Sequence, residues 1–210
     1  SVFGVKDSYL QDDADFHTIV AKMADIPRSQ AKVINLGLFY GMGKAKLQAE
    51  LGVSKEKAEE LFSIYHERVP FVKSLTKSVS NRAQQRGQIR TLLGRLCRFH
   101  LWEPNQFGIH KALPFDQARQ EYGAGIKRAY TYKALNKLIQ GSAADMTKKS
   151  MLELYKEGIV AHIQVHDELD ISVEDDKKAE RIKEIMESAV ELEIPNKVDY
   201  EKGSNWGDIK

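Results

Sequence analysis

The sequence predicts an α+β fold that is mainly helical and carries a small antiparallel sheet. Apolar side chains recur at helical spacing in several long segments of the first half. Near the C-terminal end, "IVAHIQV" and "LDISV" alternate apolar and polar residues around a short "HDE" turn, which is the pattern of a β-hairpin. With 210 residues, 42% of them hydrophobic, the chain can build one sizeable core or two smaller modules.

The first half of the chain is predicted to be a series of helices. The first covers residues 26–40, and the glycines of "YGMG" end or bend it. Ser54 is a candidate N-cap for the next helix, which Pro70 should stop. A further helix is predicted over 71–86, because Gly87 follows it.

A short hairpin is predicted next, because "QIRTLLGRLCRF" can turn at Gly94. Residues 100–115 contain two prolines and are predicted to be a loop. Helices are then expected over 116–138 and from Gly141 to Gly158. The rest is the 159–173 hairpin, an amphipathic helix over 175–193 and a possible strand at "KVDY".

Composition excludes several classes of protein. The single Cys97 rules out an internal disulfide and leaves no cysteine cluster for zinc, so a metal would need oxygen ligands. No segment resembles a membrane span or a signal peptide, so we expect a soluble, cytoplasmic protein. The chain does not begin with Met, which suggests trimming, processing or a fragment.

Charge is distributed unevenly along the chain. Residues 27–100 carry 14 Lys and Arg against 5 Asp and Glu, and residues 101–150 carry 8 against 4. Residues 151–210 reverse this, with 8 against 16. The basic middle predicts contact with the phosphates of nucleic acid or nucleotides, although solvated helix faces give the same pattern.

Four side chains of the 26–40 helix recur at intervals of four residues. Arg28, Lys32, Leu36 and Tyr40 therefore form one slowly drifting stripe along the helix. Two cations one turn apart can bind a polyphosphate, although such spacing alone more often belongs to ordinary surface residues. Gly41 follows the aromatic ring and would allow a flat ligand to approach the backbone closely.

Three motifs in this chain resemble those of one family. "RSQAKVINLGLFYG" resembles the O-helix motif of family A DNA polymerases, the bacterial polymerase I class, and "QVHDE" resembles their motif C. "NKLIQGSAAD" is similar to the helix that precedes motif C. "DFHT" and "NWGD" also fit, so the resemblance covers nearly the whole chain and is strongest to phage members.

The resemblance implies roles in binding the incoming nucleotide. Arg28 and Lys32 would bind the triphosphate through charge-assisted hydrogen bonds, and Lys32 would be placed to protonate the leaving pyrophosphate. His17 would also reach the phosphates. Tyr40 would stack on a base at the templating position, and Gly41 would permit that packing.

One position in the stripe departs from the family pattern. Leu36 stands where these polymerases usually carry Phe or Tyr, whose ring packs on the nucleotide. An aliphatic side chain buries surface but cannot stack, so we expect nucleotide selection or rate to differ.

Further residues are implied to contact the primer–template duplex. Asn136 and Gln140 lie one helical turn apart and can bond base edges and sugars in a minor groove. Tyr132 departs from the pattern, because many relatives have an arginine there. Arg95 is a weaker candidate for a backbone phosphate contact.

The acidic turn is the implied catalytic element. Asp167 matches the metal-binding aspartate of motif C, Glu168 a supporting carboxylate and His166 a residue at the primer terminus. The resemblance implies two Mg²⁺ ions, which would activate the primer 3′-hydroxyl and stabilise the leaving oxygen. A bare "HDE" turn without the other motifs would be a solvated hairpin tip.

The family's second essential aspartate, in motif A, has no counterpart in this sequence. We therefore interpret residues 1–118 as fingers and 119–210 as part of the palm, with a partner or upstream segment supplying motif A and the thumb. The chain would be a subunit of a split polymerase, a truncated piece, or a form that binds without catalysis. The alternative from another class is a non-catalytic nucleic-acid-binding module.

Overall fold

The computed structural model describes residues 17–18, 21–22, 26–39, 42–68, 70–106, 108 and 110–208. The chain divides into two compact units, Ser1–Ile139 and Gln140–Lys210. Helices dominate and the sheets are small and antiparallel, which confirms the α+β prediction. Among the described residues, no helix is both long enough and apolar enough to span a membrane.

Over residues 28–86, unit Ser1–Ile139 contains the helices α1 Arg28–Phe39, α2 Lys44–Leu51, α3 Lys55–Arg68 and α4 Pro70–Arg86. Ser54 caps α3, because its Oγ accepts a hydrogen bond from the backbone N–H of Lys57 (3.1 Å). Pro70 is the first residue of α4, where its missing N–H leaves no bond unmade. Gly87, with φ of 68°, ends that helix as predicted.

A first hydrophobic core lies among α1 to α4. It contains large side chains that are almost entirely buried, including Ile34, Leu47 and Tyr65. A second cluster joins α4 to the following strands through Ala83, Ile89 and other residues. Burial raises the pKa of the Tyr65 hydroxyl well above its usual value, so this residue is uncharged at any ordinary pH.

Five short strands belong to the same unit: β1 Gln88–Arg90, β2 Leu96–Arg98, β3 Leu101–Pro104, β4 Leu113–Pro114 and β5 Ile126–Arg128. β1 and β2 form the predicted hairpin. The prediction of a loop over 100–115 is wrong, because β3 pairs with both β4 and β5. Both prolines stand at strand ends, where the missing N–H is tolerated.

The helical prediction for 116–138 is also wrong. Helix α5, Phe115–Tyr122, ends at Gly123, whose φ of 74° leaves the right-handed helical region. β5 and a 3₁₀ turn, Thr131–Lys133, come before the next helix, α6, which spans Ala134–Lys156. A new helix was expected to begin after Gly141, but α6 continues through it. One interior glycine costs only about 1 kcal/mol, and buried leucines lie at both ends of this helix.

Unit Gln140–Lys210 contains the rest of α6, the hairpin strands β6 Ile163–Val165 and β7 Glu168–Asp170, and helix α7 Asp176–Ser188. A 3₁₀ turn follows at Trp206–Asp208. The core of this unit is formed by Leu154, Ile159, Ile182 and Ile185. The strands and α7 are shorter than predicted, and "KVDY" forms no strand.

Candidate functional site

Helix α1 exposes three of the four residues of the predicted stripe. Arg28, Lys32 and Leu36 are exposed, the last to 43%, whereas Ala31 and Ile34 on the other side of the helix are completely buried. Packing against the first core therefore fixes which face of α1 is presented to solvent. Tyr40 and Gly41 lie outside the described residues.

Unit Ser1–Ile139 also brings His17 next to α1. The side-chain amide nitrogen of Asn35 lies 3.2 Å from Nδ1 of His17. This contact joins a side-chain amide to a ring nitrogen, both of which can take part in a hydrogen bond. Asn35 is only 2% exposed, and its Oδ1 has no hydrogen-bond partner among the described residues. A buried amide thus orients the ring of a residue that precedes it by 18 positions.

A depression of about 410 Å³ lies beside the second half of α1. Leu36, Gly37, Met42 and Lys46 are among its lining residues. Met42 packs directly on Gly37, since a Cβ at that glycine would clash with the methionine Cε. The lining of the depression therefore combines apolar side chains, Leu36 and Met42, with one cation, Lys46, and one carboxylate, Glu50.

The acidic turn joins β6 to β7 through only two residues, His166 and Asp167. His166 has a φ of 53°, and glycine usually fills positions in such turns that need a positive φ. The side-chain Nε2 of Gln164 donates to the backbone carbonyl oxygen of His166 (2.6 Å). The turn therefore holds an unfavourable backbone conformation and presents Asp167 and Glu168 as exposed carboxylates.

The described residues do not complete a divalent-metal site. Carboxylates of the Asp167 and Glu168 type suit Mg²⁺, but octahedral coordination needs more ligands than two neighbouring residues supply. No group of three or more His, Cys, Asp or Glu in the described part of the chain could hold a metal ion. One oxygen of Asp170, Oδ2, is buried without a hydrogen-bond partner among those residues. No pattern in "LDISV" predicted that an oxygen of Asp170 would be buried.

The remaining predicted contacts lie in two places. Asn136, half-buried, and Gln140, exposed, are one turn apart on α6. Arg95 is exposed just before β2, and its backbone N–H donates to Oγ1 of Thr91 (3.0 Å). No sequence pattern indicated two contacts that shape the site, Asn35 with His17 and Gln164 with His166.

Comparison with known proteins identifies the class. Residues 7–208 match the sequence model of DNA polymerase family A. The chain therefore belongs to this family, which confirms the resemblance of its three motifs.

Individual relatives are polymerases of phage and bacteria. The chain is 34% identical to a DNA-directed DNA polymerase of Pseudomonas phage M6, over 99% of this chain and 33% of the relative. It is 33% identical to DNA polymerase I of Bacillus caldotenax, over 94% of this chain and 23% of the relative. The chain thus spans a third or less of the length of these two relatives.

A solved structure has a similar fold. The POL domain of Pol1 from M. smegmatis, in complex with DNA primer-template and dNTP, superimposes with a TM-score of 0.70 at 27% identity. The match covers 92% of this chain and 34% of that one.

Proposed function

We propose that this chain is the C-terminal portion of a DNA-directed DNA polymerase, which binds a dNTP and primer–template DNA. Residues 1–118 would act as fingers and 119–210 as part of the palm. The observation that carries the proposal is the exposed face of α1, where Arg28, Lys32 and Leu36 stand at successive turns beside an open depression. Membership of family A and a structural relative solved with primer-template and dNTP support it.

The nucleotide would lie along this face of α1. A guanidinium and an ammonium one turn apart suit the oxygens of a triphosphate, and the ring of His17 beside α1 would add a third contact. Lys32 is exposed and would be placed to protonate the leaving pyrophosphate. Leu36 would contact the sugar and base by apolar packing, and Tyr40 with Gly41 would contact the templating base.

Primer–template DNA would contact the helix and turns that follow in sequence. Asn136 and Gln140 would bond base edges and sugars in the minor groove, where amides can both donate and accept. Arg95 would bind a backbone phosphate, and His166 would lie at the primer terminus.

Asp167, with support from Glu168, would be this chain's contribution to a Mg²⁺ site of two ions. When bound, such ions would make the primer 3′-hydroxyl more acidic and stabilise charge on the leaving oxygen. Because the described residues do not complete the ligand set, we propose that another polymerase segment supplies the second aspartate.

The same upstream segment would cover the β6–β7 hairpin. Val160, Ile163, Val165 and Val173 are exposed apolar residues in and around these strands. The outer edges of this two-stranded sheet pair with no other described strand, and exposed apolar side chains on such a sheet favour the addition of further strands. The isolated chain should therefore self-associate, and a monodisperse monomer by light scattering would contradict this expectation.

Primer extension tests the proposal. The chain is mixed with an upstream segment of a related polymerase that carries motif A and the thumb, together with primer–template, dNTPs and Mg²⁺. We expect extension by the wild type and its loss in Asp167→Asn and Lys32→Ala. The control variants change exposed residues that have no proposed role in binding or catalysis. Asp199→Asn and Lys177→Ala should each extend the primer as the wild type does.

A second outcome would identify the alternative function. If no upstream segment restores extension while the chain still binds duplex DNA, the chain is a non-catalytic nucleic-acid-binding module. The basic charge of residues 27–150, 22 Lys and Arg (14 + 8) against 9 Asp and Glu (5 + 4), is the observation that favours this candidate.

A further inference from the structure

The turn before α6 holds a bulky residue in a strained conformation. Tyr130 has a φ of 60°, in the left-handed region that β-carbon sterics disfavour. The 3₁₀ turn Thr131–Lys133 begins directly after it. Such outliers persist where surrounding structure enforces them, and they are concentrated at functional sites.

Helix α4 holds this turn in place. When the side-chain amide of Gln84 is oriented so that each donor faces an acceptor, its oxygen accepts a hydrogen bond from the backbone N–H of Arg128 (2.9 Å) and its nitrogen donates to the carbonyl oxygen of Arg128 (3.2 Å). The nitrogen of the same amide also lies 3.3 Å from Oγ1 of Thr131. These contacts fix the backbone on both sides of Tyr130.

The fixed turn presents two exposed aromatic rings around one cation. Tyr130 is 40% exposed and Tyr132 is 59% exposed. The ammonium of Lys133 lies 5.2 Å from the ring centroid of Tyr130 and 5.6 Å from that of Tyr132. Both distances are within cation–π range, so the ammonium lies over a face of each ring, and both rings keep a substantial exposed surface.

Cations and aromatic rings also alternate around this turn. The ammonium of Lys137 lies 5.7 Å from the ring centroid of Phe99, and the guanidinium of Arg128 lies 4.6 Å from that of Trp102. Residues 122–144 contain four Lys and Arg and no Asp or Glu. One of these cations, Lys127, pairs with Glu103 across the sheet (3.8 Å), and the remaining positive charge favours a polyanion over a cationic partner.

We propose that Tyr130, Tyr132 and Lys133 form a stacking site for an unpaired nucleic-acid strand. The tyrosine rings take the faces of exposed bases, and Lys133 binds the adjacent phosphate. Stacking requires accessible base faces, which a closed duplex does not offer, so single-stranded nucleic acid is the ligand. The inference rests on the proposed nucleic-acid function and names a strand contact beyond the duplex residues above.

Fluorescence anisotropy with the full 210-residue chain tests the site. The probes are labelled dT12 and a labelled blunt 12-base-pair duplex. Loss of one base–aromatic stack in Tyr132→Ala should weaken dT12 binding by about 5- to 150-fold and duplex binding by less than about twofold. Lys133→Ala should reduce the slope of log affinity against log salt for dT12 by about 0.7.

Two control variants isolate the ring. Tyr132→Phe keeps the ring and should bind dT12 nearly as the wild type does, and Tyr155→Ala removes an exposed tyrosine further along α6 without effect. Unchanged dT12 binding in Tyr132→Ala, or an equal loss on the duplex, would overturn the stacking site alone. A wild-type chain that binds neither probe would overturn it together with the proposed nucleic-acid function.

Discussion

Substitution of Gln164 by alanine should disturb the presentation of Asp167. The Gln164 side chain donates to the carbonyl oxygen of His166, which has a φ of 53°. A non-glycine residue in the left-handed region costs about 1–2 kcal/mol, and one hydrogen bond contributes about 0.5–1.5 kcal/mol. Loss of the bond should therefore lower the equilibrium constant for forming the native turn by about 2- to 13-fold.

The assay is primer extension by the chain assembled with an upstream polymerase segment. The Gln164→Ala rate should fall at saturating DNA and dNTP, by up to about 13-fold, because the rate follows the fraction of molecules with the native turn. Gln88→Ala, which changes another exposed glutamine at the end of a short strand, should leave the rate unchanged.

A second background separates backbone positioning from direct contact with substrate. His166→Gly removes the steric cost of a positive φ, so the turn should no longer depend on Gln164. Within that background, the additional Gln164→Ala change should lower the rate by less than about twofold. An equal fold loss in both backgrounds would refute the idea that Gln164 acts through the His166 backbone.

The remaining predictions concern stability and pH. Burial, and secondarily the charge of Lys73, lowers the pKa of His66 in the folded state. Protonation of His66 therefore favours the unfolded chain. Tm should fall as pH is lowered through the unfolded-state pKa of about 6.5, and this fall should be smaller in His66→Gln. Leu154 is 1% exposed in the core of unit Gln140–Lys210, and Leu154→Ala should lower the free energy of unfolding in urea by about 2–5 kcal/mol. Leu152 is 49% exposed, and Leu152→Ala should lower it by less than about 0.5 kcal/mol. Ser54→Ala should cost about 1 kcal/mol by the same measurement, whereas Ser54→Asp, which can still cap α3, should keep most of that stability. A Tm that does not change with pH would contradict the argument from His66. Equal effects of the two leucine substitutions would contradict the argument from burial, and a Ser54→Asp variant as unstable as Ser54→Ala would contradict the argument from capping.

Local signals predicted the parts of the fold that depend on neighbouring residues. The cap at Ser54, the end of α4 at Gly87 and the β1–β2 hairpin follow from turn and capping chemistry within a few positions. The three-stranded sheet did not follow, because Trp102 in β3 pairs with Arg128 in β5 across a long stretch of sequence. The alternation of apolar and polar residues in short strands that contain proline is too weak a signal to predict such pairing.

The candidate site shows the same division. Spacing along α1 predicted a stripe that the structure exposes at Arg28, Lys32 and Leu36. The support beneath it depends on Asn35 meeting His17, a tertiary contact that no periodicity encodes. The roles of these residues stay predictions, and the family alone is confirmed.

The β6–β7 hairpin has a consequence for when chemistry can occur. Each strand has only three residues, and a lone pair of strands has little stability of its own in water. We expect its backbone amides to exchange with solvent far faster than those of the Leu154 core, and to become protected only on assembly. If Asp167 binds Mg²⁺ as proposed, the turn that carries it would then reach its binding geometry only after the proposed upstream segment has assembled with this chain.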